Sequence, residues 1–322
     1  MKRLTALLLI LLLLAGCATN TPAAAEPSIV PTAAATEAPT ESSTESNIIP
    51  FPTEAPTEPE LEGLTIHFID VGQGDCALLE CGGEFAVIDA GYPETGDDVV
   101  EYLAEQGVEE LALVVGTHPH GDHIGGLPTV LKAYPTENVW SSVYPYSNGY
   151  TVAFHNAVRK QGLSVHVPAL GEVFQLGDAT ITMIGPVRTD YEDPNNLSLV
   201  LMVQYGDFRA LFTGDMERDA EEELLDSGAD VKADLLKVGH HGSYTSTSYR
   251  FLWEVDPDYA IICVGAANDY GHPHEEPMSR LRDAEVTIYR TDKMYDIVAV
   301  TDGTDIQFSW GNRFAKPWQP AA

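Results

Sequence analysis

Between Thr117 and Gly126 the chain reads Thr-His-Pro-His-Gly-Asp-His-Ile-Gly-Gly, which places three imidazoles and one carboxylate within the six residues from His118 to His123. The segment follows directly on Leu111-Ala112-Leu113-Val114-Val115, an apolar run that reads as a buried strand stopped by a turn. A strand that ends in ligands is a rigid mount for a metal, and that requirement narrows the possible folds more than any other stretch. The spacing His-x-His-x-Asp-His lets His118 and His120 point one way while Asp122 and His123 point another, so one tight loop can serve two neighbouring ions. Clustering favours ligation over ordinary loop histidines, because seven of the 10 histidines fall at 118 to 123, 240 to 241 and 272 to 274. His67, His155 and His166 lack such company and read as structural or surface groups.

Two further runs repeat the design. Leu235-Leu236-Lys237-Val238-Gly239-His240-His241-Gly242-Ser243 ends a strand in paired histidines. Adjacent side chains cannot both face one ion, so the pair predicts one ligand, His241, and one proton donor or substrate contact, His240. Asn268-Asp269-Tyr270-Gly271-His272-Pro273-His274 follows the strand Tyr259 to Val264 and offers His272 as a last ligand, with His274 a solvated residue before a helix near Glu276 to Asp283. Phe212-Thr213-Gly214-Asp215 closes another strand with a carboxylate, which suits either the N-cap of a helix over Glu217 to Ser227 or a metal ligand.

The first motif resembles the signature of the metallo-β-lactamase fold superfamily. That resemblance implies a single α/β domain, an αββα four-layer sandwich, in which Asp215 bridges two metals. Longer strings narrow it. Phe-Ile-Asp-Val-Gly-Gln-Gly-Asp at 68–75, Asn-Asn-Leu-Ser-Leu-Val-Leu at 195–201, Val-Gly-His-His-Gly-Ser at 238–243, Tyr-Gly-His-Pro at 270–273 and Tyr-Arg-Thr-Asp at 289–292 are similar to the soluble hydrolase domain of ComEC-type competence proteins. The likeness runs over about residues 62–310 and includes none of the apolar spans of the competence channel, so it implies a hydrolase and not DNA uptake as such. Most superfamily members carry another histidine just before the strand that here is Ser198 to Tyr205, where this chain has Asp193-Pro194-Asn195-Asn196. His241 or His272 is therefore expected to complete the ligand set.

Upstream of this body the composition changes twice. Lys2 and Arg3, a leucine-rich run from Leu4 to Leu14 and then Ala15-Gly16-Cys17 read as a lipoprotein signal peptide over residues 1–17, similar to the lipobox of bacterial lipoproteins with Cys17 lipidated. The run is too short for a confident membrane span, so the lipid on Cys17 is the expected membrane attachment and the body is expected outside the cell membrane. Residues 18–60 are rich in Thr, Pro, Ala, Glu and Ser with the single aromatic Phe51, which predicts a disordered tether spanning roughly 35 Å. Residues 61–316 are then one hydrolase domain. Its cysteines do not make a disulfide framework: Cys76 and Cys81 should face opposite sides of one strand, and Cys263 reads as a small core residue.

The mechanism implied is metal-assisted hydrolysis. Two divalent ions held by His118, His120, Asp122, His123, Asp215, His241 and His272 would lower the pKa of a bound water from about 16 to about 7. Asp122, Asp215 and His240 are the catalytic candidates, and Ser243, Arg290 and Asn196 the substrate contacts. Asp70, Asp75 and Asp89 either orient ligands or are turn carboxylates. A nitrogen and oxygen donor set without thiolate admits zinc, manganese and iron, with zinc the default outside the cell and manganese next. Phosphodiesters suit such a pair of ions. Against a nucleic-acid substrate stands the charge, 49 Asp and Glu to 17 Lys and Arg, a formal net charge of −32, which repels polyanions unless metals or a local basic patch intervene. Three function classes fit: a secreted phosphodiesterase or nuclease; an envelope hydrolase of a small phosphoester, a choline phosphoester or an amide or thioester such as a lactam; and a surface lipoprotein that binds metal without turnover. The sequence carries no signal for an oligomeric state.

Overall fold

The computed structural model describes residues 61–142 and 148–311. The signal segment with Cys17, the tether at 18–60, and residues 143–147 and 312–322 lie outside the described residues. The chain opens as a meander of β1 (Leu64–Phe68), β2 (Cys76–Cys81) and β3 (Glu84–Ala90). It then crosses through α1 (Gly96–Glu105) to β4 (Leu111–Gly116), and through α2 (Gly121–Ile124) and α3 (Leu127–Ala133) to β5 (Thr136–Ser141), laying both strands parallel to β3. After α4 (Gly149–Lys160) comes a second meander, β6 (Val173–Leu176), β7 (Ala179–Gly185), β8 (Val200–Tyr205) and β9 (Phe208–Phe212). Helix α5 (Arg218–Asp226), β10 (Leu235–Lys237), α6 (Tyr249–Val255), β11 (Tyr259–Ile262), α7 (Glu275–Asp283) and β12 (Thr287–Arg290) extend that sheet with parallel strands. A turn of helix, α8 (Thr291–Met294), returns the chain to the first sheet as β13 (Asp296–Thr301) and β14 (Ile306–Gly311).

The first sheet has the order β14-β13-β1-β2-β3-β4-β5 and the second β12-β11-β10-β9-β8-β7-β6. Both faces of each sheet are covered. Phe68, Leu79 and Leu113 of one sheet meet Leu201, Phe212 and Ile261 of the other in the central core, where the Phe68 and Phe212 rings stack with centroids 5.7 Å apart. Outside the first sheet Leu78, Val87 and Val114 pack on Leu103, Leu131 and Phe154 of the helices. Outside the second, Leu211, Leu236 and Ile262 pack on Leu224, Phe251 and Leu281. The result is the expected αββα sandwich of four layers. Strands buried on both faces have no polar side to show, which is why the β4 run is apolar throughout instead of alternating. Cys81 lies in the central core and Cys76 in the outer one, on opposite faces of β2, and neither forms a disulfide.

Three local expectations need correction. The strand expected over Ser198 to Tyr205 starts later: Pro194–Leu197 is a turn of 3-10 helix, started by Pro194 with its fixed φ, and β8 starts at Val200. The histidine loop is not wholly irregular, since Gly121–Ile124 closes one helical turn inside it. Asp215 does not cap α5, because Glu217 occupies the N-cap position. The arrangement that matters for chemistry is the meeting of parallel strand ends. Residues just past β4 touch residues just past β9 and β10, so the carboxyl ends of strands from both sheets open on one edge of the sandwich, where α/β proteins place their ligands.

Candidate metal centre

At that edge two groups of donor atoms share one carboxylate. In the first, His118 Nε2 and His120 Nδ1 lie 3.1 Å apart, and Asp215 Oδ2 is 3.6 Å from His118 Nε2. In the second, Asp75 joins His123, His241 and Asp215: the Nε2 atoms of His123 and His241 lie 3.3 Å apart, with Asp215 Oδ1 3.1 and 3.5 Å from them, while Asp122 Oδ2, outside that group, is 3.4 Å from His241. Asp215 therefore presents one oxygen to each group. His118, His123, His241 and Asp215 are all buried to 1% exposure or less.

Whether these residues fit divalent ions can be read from their partners. Asp215 Oδ1 is buried with no hydrogen-bond donor among the described residues, although imidazole nitrogens face it from two sides. Nitrogens that face one another at 3.1 to 3.3 Å across a buried carboxylate oxygen leave donors converging where a cation belongs. The rear nitrogens are tied back. Asp89 Oδ2 takes His123 Nδ1 at 2.8 Å, the Cys263 carbonyl takes His241 Nδ1 at 3.0 Å, and Thr117 Oγ1 lies 3.2 Å from His118 Nδ1. Each ring thus keeps Nε2 for the site, the usual second partner of a metal-bound histidine. Asp89 is itself fixed by the Thr117 backbone N–H at 2.8 Å and the Thr117 hydroxyl at 2.6 Å. The residues present fit a pair of ions.

Electrostatics follow the same geometry. Burial acts to raise the Asp215 carboxyl, but the imidazoles of His123, His241 and His240 outweigh it and hold the group well below the usual carboxylate range. Burial acts to lower His123, yet the Asp215 and Asp89 carboxylates lift it well above an ordinary imidazole. His118 goes the other way, pushed well down by burial and then by the neighbouring His123. Beneath the site a buried cation completes the balance: Lys237 Nζ stands 2.7 Å from Asp75 Oδ2, and Asp75 Oδ1 lies 3.2 Å from His241 Nδ1. Gly74 permits this approach, since at φ +142° a Cβ there would stand 2.3 Å from the Asp122 carbonyl oxygen.

Of the paired histidines, His241 belongs to a donor group and His240 to neither. His240 and His241 both have left-handed backbone, φ 49° and 52°, a conformation that costs about 1–3 kcal/mol for a non-glycine residue. The turn splays their rings to different partners. His241 enters the second group, while His240 Nε2 comes within 3.6 Å of Asp215 Oδ2 on the side of the first, with Nδ1 held 3.2 Å from Glu217 Oε1. His272 joins neither group; its ring centroid is 5.5 Å from that of His240 and 6.3 Å from that of His241. His274 is not simply solvated: it stands at the N-cap position of α7 and its Nδ1 accepts the Tyr244 N–H at 3.1 Å.

A cavity of about 300 Å³ opens over the donors, walled by Gln73, Tyr92, His120, Asp122, Tyr150, Asp215, His240, His241, Tyr270 and His272. None of the three proposed substrate contacts reaches it. The Ser243 hydroxyl pairs with Thr245 Oγ1 at 2.9 Å, Asn196 Oδ1 accepts the Glu217 N–H at 2.9 Å, and Arg290 makes a two-pronged pair with Asp292 at 2.8 and 2.7 Å. Each is already satisfied by a residue from its own or a neighbouring loop. Asp70 accepts from the Gly72 N–H at 3.0 Å, as a turn carboxylate does. Sequence reasoning missed the tyrosines and Lys237. A signal for Lys237 was present, a lysine closing an otherwise apolar strand, which is buried only when paired.

Residues 69–266 match the Metallo-beta-lactamase superfamily, and the chain belongs to that superfamily. Within it the chain is similar to ComE operon protein 3 of Bacillus subtilis, 30% identical over 266 residues that make up 77% of this chain and 33% of that one. It is also similar to Recombination protein 2 of Haemophilus influenzae, 34% identical over 70% of this chain and 27% of the relative, and to Competence protein ComA of Neisseria gonorrhoeae, 31% identical over 69% and 30%. The chain spans about a third of the length of these curated relatives. Among the described residues no helix is long and apolar enough to cross a membrane.

Proposed function

We propose that the protein is an exported, lipid-anchored metallohydrolase that cleaves phosphodiesters, acting as a nuclease on short or single-stranded substrate. The observation that carries this reading is Asp215, which sets one carboxylate oxygen against each of two histidine groups, the layout that suits in-line phosphoryl displacement. Two divalent ions, zinc or manganese, held by His118, His120 and Asp215 and by Asp122, His123, His241 and Asp215, would supply charge neutralisation at the phosphate and a water of lowered pKa. The chain's own residues do the rest. Asp89 and the Cys263 carbonyl fix the His123 and His241 rings from behind. His240, with Nδ1 3.2 Å from Glu217 Oε1 and its side chain lining the cavity, would pass a proton to the leaving oxygen. Similarity to competence proteins supports a polynucleotide-related role.

A second reading, hydrolysis of a small envelope phosphoester, is favoured by charge: among the described residues no Lys or Arg lines the cavity, and the net charge is −32. The test separates the two. The purified full chain, stripped of metal and reloaded with zinc or manganese, is assayed on bis(p-nitrophenyl) phosphate, single-stranded DNA and a chromogenic cephalosporin. Turnover of the first two, lost in His118→Ala, is the expected result. Turnover of the small ester alone selects the second reading, and silence on all three with metal bound overturns both.

A further inference from the structure

The wall of the cavity away from the metal donors is aromatic. Tyr150, 39% exposed, lies over Gly121, where any Cβ would stand 2.5 Å from its ring, so the missing side chain is the seat of that ring. Tyr270, 58% exposed, stacks on the His272 imidazole with centroids 5.5 Å apart and planes 23° from parallel. Tyr92 lines the same space. These rings are not core residues. Exposed tyrosines seated against a glycine and an imidazole, beside the donor cluster, suit a planar ligand.

We infer that Tyr150 and Tyr270 form a stacking site for one nucleobase attached to the phosphate cleaved at Asp215. The inference rests on the phosphodiesterase reading and names what that reading leaves open, how an acidic protein holds a nucleic acid. Base stacking on aromatic side chains is sequence-tolerant and needs no basic groove. A volume of about 300 Å³ is at the small end of ligand clefts and admits one nucleoside, not a duplex. The substrate class is therefore a nucleotide at an end or in an unpaired segment, gripped by its base and not by its backbone.

The test uses the metal-loaded full chain and two esters with the same leaving group, thymidine 5′-(p-nitrophenyl phosphate) and methyl p-nitrophenyl phosphate. The thymidine ester should show the higher kcat/KM, on the order of tenfold, carried in KM. Tyr150→Leu and Tyr270→Leu should each bring the ratio of the two esters toward one, and Tyr270→Phe should keep it. Calorimetric titration with thymidine 5′-monophosphate reads the same site without turnover. Binding that weakens in both leucine variants while neither ester is hydrolysed would retain the base site and overturn the phosphodiesterase reading. Equal kcat/KM for the two esters with no thymidine monophosphate binding, or a ratio unmoved in both leucine variants, would overturn the base site. So would a preference for p-nitrophenyl phosphorylcholine, which would assign the rings to a cation.

Discussion

The buried His67 makes the fold acid-sensitive in a way that can be separated from the metal centre. His67 lies in β1 at 4% exposure, with Nδ1 2.8 Å from the Tyr102 hydroxyl and Nε2 buried without a partner among the described residues. Burial pushes its pKa down from 6.5 to about 4. The unfolded chain takes up this proton near pH 6.5 and the folded one only near 4, so between those values the unfolded state binds more protons and stability falls as the pH falls. At about 1.4 kcal/mol per tenfold in proton affinity, the whole interval from 6.5 to about 4 is worth about 3 kcal/mol, of which about 2 kcal/mol is lost by pH 5. His67→Gln keeps a group that can meet the Tyr102 hydroxyl and takes no proton. Urea unfolding of the chelated protein at pH 7.5, 6, 5 and 4.5 gives the comparison, since titration of the site histidines is common to both proteins and cancels in the difference. The variant should lose less stability on going to pH 5, by about 2 kcal/mol. Parallel curves for the two proteins would refute the assignment of His67 as a neutral buried base.

Other perturbations test other contacts. Asp89→Asn weakens the grip on His123 Nδ1 and should reduce zinc affinity by roughly 10- to 100-fold, measured by competition with a chromogenic chelator. Lys237→Met leaves Asp75 buried without its cation and should cost about 3–5 kcal/mol in urea, part of which Asp75→Asn should restore in the double variant. Gly74→Ala forces a Cβ against the Asp122 carbonyl and should lower stability by more than about 1 kcal/mol, with faster loss of metal to a chelator as the companion readout.

What the sequence made legible was local. The His118 to His123 loop was readable because its donors are contiguous and follow a strand, and the four-layer sandwich because the strings around it resemble one family. Long-range partners were not readable. Asp75 meets Lys237 and His241 across more than 160 positions, and no spacing rule links them. Adjacency alone assigns His241 as ligand and His240 as proton donor or substrate contact, but it does not show that left-handed backbone at both brings His240 Nε2 within 3.6 Å of Asp215 Oδ2. Arg290 was offered to the phosphate as a free cation, but Asp292, two residues on, already grips it. Strands β5, β6, β12, β13 and β14 escape a reading by pattern because each takes part of its stability from pairing, as β13 does with β1, and not from a distinctive pattern of its own.

If Asp215 joins two metal positions, metal stoichiometry shows it most directly. The chain, apo-treated, reloaded with excess zinc or manganese and desalted, should retain two ions per molecule by mass spectrometric metal analysis. Asp215→Ala, with unchanged secondary structure by circular dichroism, should retain at most one and lose hydrolysis. A single ion in the parent protein, or two ions in the folded variant, would contradict the shared-carboxylate centre.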